Sequence, residues 1–246
     1  MRNDALSQFG EYPAGVIPIH GRIQGTAFFP GGSGLWATHA RQPLPPMPIS
    51  GVMVLGHNFD SEAGFADSLA QGIERINGPT WGPLRKLFGS AGIPMGRCFF
   101  TNAFVGLKAG SDATGAFPGA RDRDFVRRCQ AFLLEQIRAQ WPQLVLTLGI
   151  HAPKILAPLA AELASVWSDT TSLRELDKRG VALVSPVHFP DMSQPVTVAA
   201  LTHPSKRWLN VGQRVYRDKS GDAAELDLLK DAHACVDSSC LGDVPA

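Results

Sequence analysis

The chain has 246 residues, 44% of them hydrophobic and 18% charged, and a formal net charge of +1. That length and apolar share support one buried core with extensions and exclude a disordered chain. No stretch reaches the ~18 apolar residues of a spanning helix, and the opening MRNDALSQFG lacks the apolar run of a secretory signal, so a soluble, cytoplasmic protein is expected.

Four cysteines (Cys98, Cys129, Cys235, Cys240) form no CxxC pair, which points to reduced thiols rather than a disulfide framework or a zinc site. The charge is unevenly spread. After Arg217, seven acids face only Lys219 and Lys230, which leaves 21 bases and 15 acids in residues 1–217. A mildly basic body with an acidic tail fits either a polyanion partner or an ordinary solvated surface.

In chain order, residues 1–50 are rich in Gly and Pro (GTAFFPGGSGLW, HARQPLPPMPIS) and read as an irregular extension packed on the core. GVMVLG (51–56) is a continuous apolar run closed by glycine, the pattern of a strand buried on both faces. CFFTNAF (98–104) and QLVLTLG (143–149) repeat it. Between these two, Phe125, Cys129, Phe132, Leu133 and Ile137 recur at helical spacing, so an amphipathic helix is expected with Asp122 or Asp124 at its N-cap. A second helix follows at 151–164, capped by His151. GVALVSPV is a further strand or an edge hairpin, and PVTVAALTH (195–203) is the fourth main strand. Alternating strands and helices predict an α/β fold, a mainly parallel four-stranded sheet in a three-layer α/β/α sandwich.

Ligands of such sheets collect beyond the carboxyl ends of the strands. At those ends stand Gly56, His57, Asn58, Phe59 and Asp60; Thr101 and Asn102; Gly149 and His151; and His203 followed by Pro204 and Ser205. A histidine can donate to developing negative charge, one asparagine can hold water, and another can read a planar amide.

The ordered set LGHNFD, FFTNAF, LTLGIHAPKIL and LTHPSKRW, over about residues 51–216, resembles the uracil-DNA glycosylase superfamily. FFTNAFVGLK, CQAFLLEQI and LVLTLGIHAPKIL look most like its iron–sulfur branch. That branch holds its cluster with four cysteines, and here only Cys129 falls where one is expected, so neither a cluster nor another cofactor or metal is expected. In the first motif Phe59 stands where proline is usual. Asn58 takes the position of the water-positioning residue, and Asp60 can supply a carboxylate if its side chain shares that face.

The resemblance implies DNA containing uracil as the partner, acted on by a monomer, nucleoid-associated if bacterial. It makes His203 the hydrogen-bond donor to uracil O2, assigns water to Asn58 and Asp60, and gives Asn102 the base edge, with Gly56 and His57 beside it. Trp81 is either the stacking aromatic or a core or loop residue, with Phe59 and Phe65 as rivals for the stacking role. Ser205, Lys206, Arg207 and Arg121 meet the DNA, with Trp208 either a wedge or packed inward. The glycine-rich FFPGGSGLW and ATGAFPGARD loops are weaker candidates for phosphate. The expected organisation is an extension (1–50), a glycosylase-like domain (51–217) and an acidic tail (218–246). Three alternatives stay open: capture of uracil-DNA without turnover, a preference for hypoxanthine or xanthine, and a hydrolase built on Ser205. The last lacks the Gly-x-Ser-x-Gly elbow.

Overall fold

The computed structural model describes residues 9–19, 49–72 and 78–239. In chain order these form β1 (Val16–Ile17), β2 (Val52–Asn58), α1 (Glu62–Gln71), α2 (Trp81–Ala91), β3 (Cys98–Phe104), β4 (Leu107–Lys108), α3 (Arg123–Gln140) and β5 (Leu144–Leu148). There follow α4 (His151–Leu156), α5 (Ala161–Trp167), α6 (Leu173–Lys178), β6 (Leu183–Val187), β7 (Val196–Leu201), α7 (Arg207–Asn210), β8 (Val215–Tyr216), β9 (Lys219–Ser220) and α8 (Gly221–Ser239).

The central sheet has the order β3-β2-β5-β7-β6, parallel except for β6. It therefore has five strands rather than four. The fifth is the edge strand from the GVALVSPV segment, antiparallel to β7 with an irregular register between Val184 and Val187. Pro186, which has no N–H to give a ladder, sits at this edge. Helices cover both faces: α3 and α4 pack on β2 and β3, while α8 packs on β7 and meets α2. The strands β2, β3, β5 and β7 are buried along nearly their whole length because both faces are covered.

Helix α3 behaves as its pattern requires. The Asp122 carboxylate accepts from the Asp124 and Phe125 amides at its start, and Phe125, Cys129, Leu133 and Ile137 are buried. The N-terminal segment docks Phe9 and Tyr12 against Phe125. At the other end of the chain, α8 buries Leu228, Leu229 and Ala232 in the main core. FFPGGSGLW and Cys240 lie outside the described residues.

Candidate active site at the carboxyl ends of the strands

Parallel register brings the chemically loaded ends to one level. Gly56 of β2 lies beside Asn102 of β3, Leu55 beside Thr147 of β5, and Leu148 beside Leu201 of β7. Strand β2 runs past its apolar run, so His57 and Asn58 stand inside it, while β3 has the bounds of CFFTNAF and carries Asn102 within it. A cavity of about 740 Å³ opens at this edge and is lined by His57, Asn58, Asp60, Asn102, His151 and His203, among others.

His203 leaves β7 through Thr202 and enters a single 3-10 turn at Pro204. Gly149, at φ +77°, closes β5 against it: a Cβ there would come 3.2 Å from the His203 Cβ. The glycine both permits the left-handed turn and leaves room for the imidazole. Ser205 Oγ and His203 Nδ1 are 2.9 Å apart. Burial, then Lys206 and His151, push the His203 pKa down to about 4. The ring is therefore neutral at pH 7, and a hydroxyl donated into Nδ1 leaves Nε2–H as a donor.

Two more imidazoles stand close by. His57 and His151 stack at 4.6 Å and 23°, and His57 meets Phe104 edge-on at 5.3 Å. Burial first, then His151, His203 and Lys108, lower the His57 pKa to about 3. The His151 pKa is also lowered, by burial and then Lys154. His151 does not cap α4; Ile150 holds the N-cap position, and the imidazole is turned onto its neighbour.

The first motif folds tightly. Asn58 Nδ2 donates to the Asp60 carbonyl at 3.1 Å, which leaves its Oδ1 as the other end of the amide. Asp60 adopts φ +92°, so the chain is no longer extended and simple alternation does not place its side chain. Its carboxylate accepts from the Ser61 amide at 2.7 Å and lies over Gly64, where a Cβ would come 2.5 Å from Oδ2. It also lines the cavity.

Other expected residues divide. Asn102, 4% exposed, lines the cavity, as do Gly56, Ser205 and Lys206. Trp81 is only 2% exposed and packs on Phe100 at 5.2 Å, so it lines the cavity as a residue of the core. Phe59 and Phe65 are buried with Leu107 in a side cluster, and of the two Phe59 lines the cavity. Trp208 points outward at 78% exposure, and Leu209 is exposed beside it. Arg207 turns inward instead, to Asp222 and Glu225, so its guanidinium is not presented to DNA. Arg121 is exposed, yet from its loop the cavity is lined by Ala113, Thr114 and Gly115.

Exposed Arg174 and Gln213 on the rim had no mark in the sequence. Arg174 lies in SLRELDKRG, one of three cations in a polar helical stretch, and nothing local tells it from a solvated one.

Cys98 and Cys129 are too far apart to share a cluster. Cys98 opens β3, while the Cys129 sulfur accepts from the Val105 amide just beyond its other end, roughly 20 Å away by strand rise. Burial raises both thiol pKa values to about 12, so both sulfurs stay protonated. Among the described residues no three His, Cys, Asp or Glu are grouped to hold a metal, and no helix is long and apolar enough to cross a membrane.

Residues 54–224 match a family model described as the uracil DNA glycosylase superfamily. No curated protein matches the chain.

Proposed function

Because the chain belongs to the uracil-DNA glycosylase superfamily, we propose that it hydrolyses the bond between uracil N1 and the deoxyribose C1′ in DNA, leaving an abasic site. The observation that carries this reading is the neutral His203 imidazole, set on one cavity with Asn102 and Asn58.

As the bond stretches, the sugar gains positive charge and the base gains negative charge on O2. His203, oriented through Ser205, donates from Nε2 to that oxygen. A fixed donor of this kind contributes roughly 10² to 10³ in rate. A neutral imidazole suits the task because it enters the dry site without the cost of burying a charge. The Asn102 amide presents a donor and an acceptor that match uracil O4 and N3–H and oppose the amino group of cytosine. Asn58 Oδ1 and the Asp60 carboxylate hold the water that captures the sugar, which takes up hydroxide while the base leaves as its anion and is protonated afterwards.

The base must leave the duplex to reach the cavity, at a cost of a few kcal/mol for a mismatched pair. Exposed Trp208 and Leu209 are suited to wedge into the gap, and Lys206 stands on the rim for phosphate.

One observation favours a second reading, capture of uracil-DNA without turnover. Asn58 is not a base, and the Asp60 carboxylate is already engaged by the Ser61 amide, so activation of water is weak. Release of free base from single- and double-stranded oligonucleotides containing uracil, hypoxanthine or xanthine separates the readings. Wild type is expected to release uracil, His203→Ala to lose at least about 10²-fold and Asn58→Ala at least about tenfold. A loss below about tenfold for His203→Ala refutes the donor role. Tight binding with no abasic product establishes capture.

A further inference from the structure

Under His203 lies a buried cluster of charges, one of which, Arg214, also lines the cavity. The loop carrying the histidine leaves β7 at Leu201 and returns through Arg207 and Arg214. Arg214, 1% exposed, donates to both oxygens of Asp177 at 2.8 and 2.9 Å, to the Ala200 carbonyl at 2.9 Å and to Glu225 at 3.1 Å. Arg207 reaches the same Glu225 from the outer side and Asp222 at 2.7 Å. Glu225, on α8 and fully buried, also accepts the backbone N–H of Thr202.

The last of these bonds ties the cluster to the site. The ladder between β5 and β7 ends where Gly149 N–H meets the Leu201 carbonyl at 2.7 Å. The next amide, Thr202, is past the ladder and buried, and a buried N–H without a partner is costly. Glu225 supplies that partner from a helix. A single buried carboxylate would itself be costly, and two guanidiniums compensate it. Removing one member of such a cluster leaves an uncompensated charge, so the loop is held in one arrangement.

Resting on the glycosylase reading, we infer that Glu225 is a positioning residue: it holds the Thr202 peptide and both arginines of the loop, and so fixes the aim of the His203 imidazole into the cavity. Glu225 lies one residue beyond the segment matched by the family model. It acts through His203 and touches no reacting atom. Misplacement of a catalytic group by about 1 Å costs up to about 10²-fold.

The test uses the full chain, a uracil-containing oligonucleotide and NMR of 15N-labelled histidine. Glu225→Ala is expected to lower kcat by about 10- to 100-fold with KM within about threefold, and to shift the His203 ring nitrogens as the bond to Ser205 loosens. Asp222→Ala, which removes only the outer contact of Arg207, is expected to leave kcat and the His203 signals unchanged. A folded Glu225→Ala with unaltered kcat and unaltered His203 signals overturns the inference. If that variant does not fold, Glu225→Gln, which keeps an oxygen for Thr202 N–H, is read the same way, with an expected loss of about three- to tenfold. Should wild type release no base, the glycosylase reading fails, and the His203 signals alone decide whether Glu225 positions the ring.

Discussion

Keeping an imidazole neutral is a matter of where it is put. His203 and His57 are both drawn below their ordinary pKa by burial, with the other histidines and nearby lysines adding repulsion. Their folded pKa values, about 4 and about 3, lie below the ordinary value of 6.5. Between those limits the unfolded chain binds more protons than the folded one, so folding stability is fully present above pH ~6.5 and falls as the pH drops. Each histidine that charges only on unfolding contributes a slope of about 1.4 kcal/mol per pH unit in that window. Urea unfolding of wild type from pH 7.5 to 4.5 is expected to show this decline, and His57→Phe to flatten it. An equal slope in the variant would mean that His57 already titrates normally in the folded chain.

At the scale of elements, the site is made by strands ending level and by what meets them. Gly149 is the tightest of these joints, since it combines φ +77° with a 3.2 Å approach to the His203 Cβ. Gly149→Ala is expected to cost about 1–2 kcal/mol through the left-handed backbone, and to lower base release more than tenfold by pushing His203 aside. Thermal unfolding together with single-turnover kinetics checks both. A stability loss with unchanged turnover would show that the strand end yields without moving the ring. The second joint is α8. Its acids are largely engaged at home: Asp227 pairs with Lys219, Asp231 with Arg217 and Tyr216, and Asp222 and Glu225 with Arg207. An acid-rich stretch therefore serves as a buttress of the core.

For the whole molecule, what matters is which cations remain at the mouth once these pairs are made. Arg174 and Lys206 line the rim, the first on α6 and the second after His203, so each can neutralise a phosphate. Arg174→Ala and Lys206→Ala are each expected to weaken binding to any DNA sequence and to reduce the slope of log K against log salt by about 1. An unchanged slope removes that cation from the DNA path. How much of this was legible follows from the physics of each signal. Apolar runs ending in Gly56, in Asn102 and at His203 could be read directly, because strands of a covered parallel sheet must be apolar throughout and must end where polar groups begin. The outward Trp208 and the buried Trp81 were both left open, and the inward turn of Arg207 was not foreseen. The exposure of such a side chain depends on neighbours far along the chain, such as Phe100 for Trp81 and Glu225 for Arg207. By itself the sequence determined the four main strands, the helix over residues 125–137 and which polar residues stand at the sheet's edge, since these follow from local periodicity. Only the tertiary structure decided that three histidines crowd together and stay neutral, and that a carboxylate from the last helix secures one of them, because burial and charge pairing arise between segments that meet only on folding.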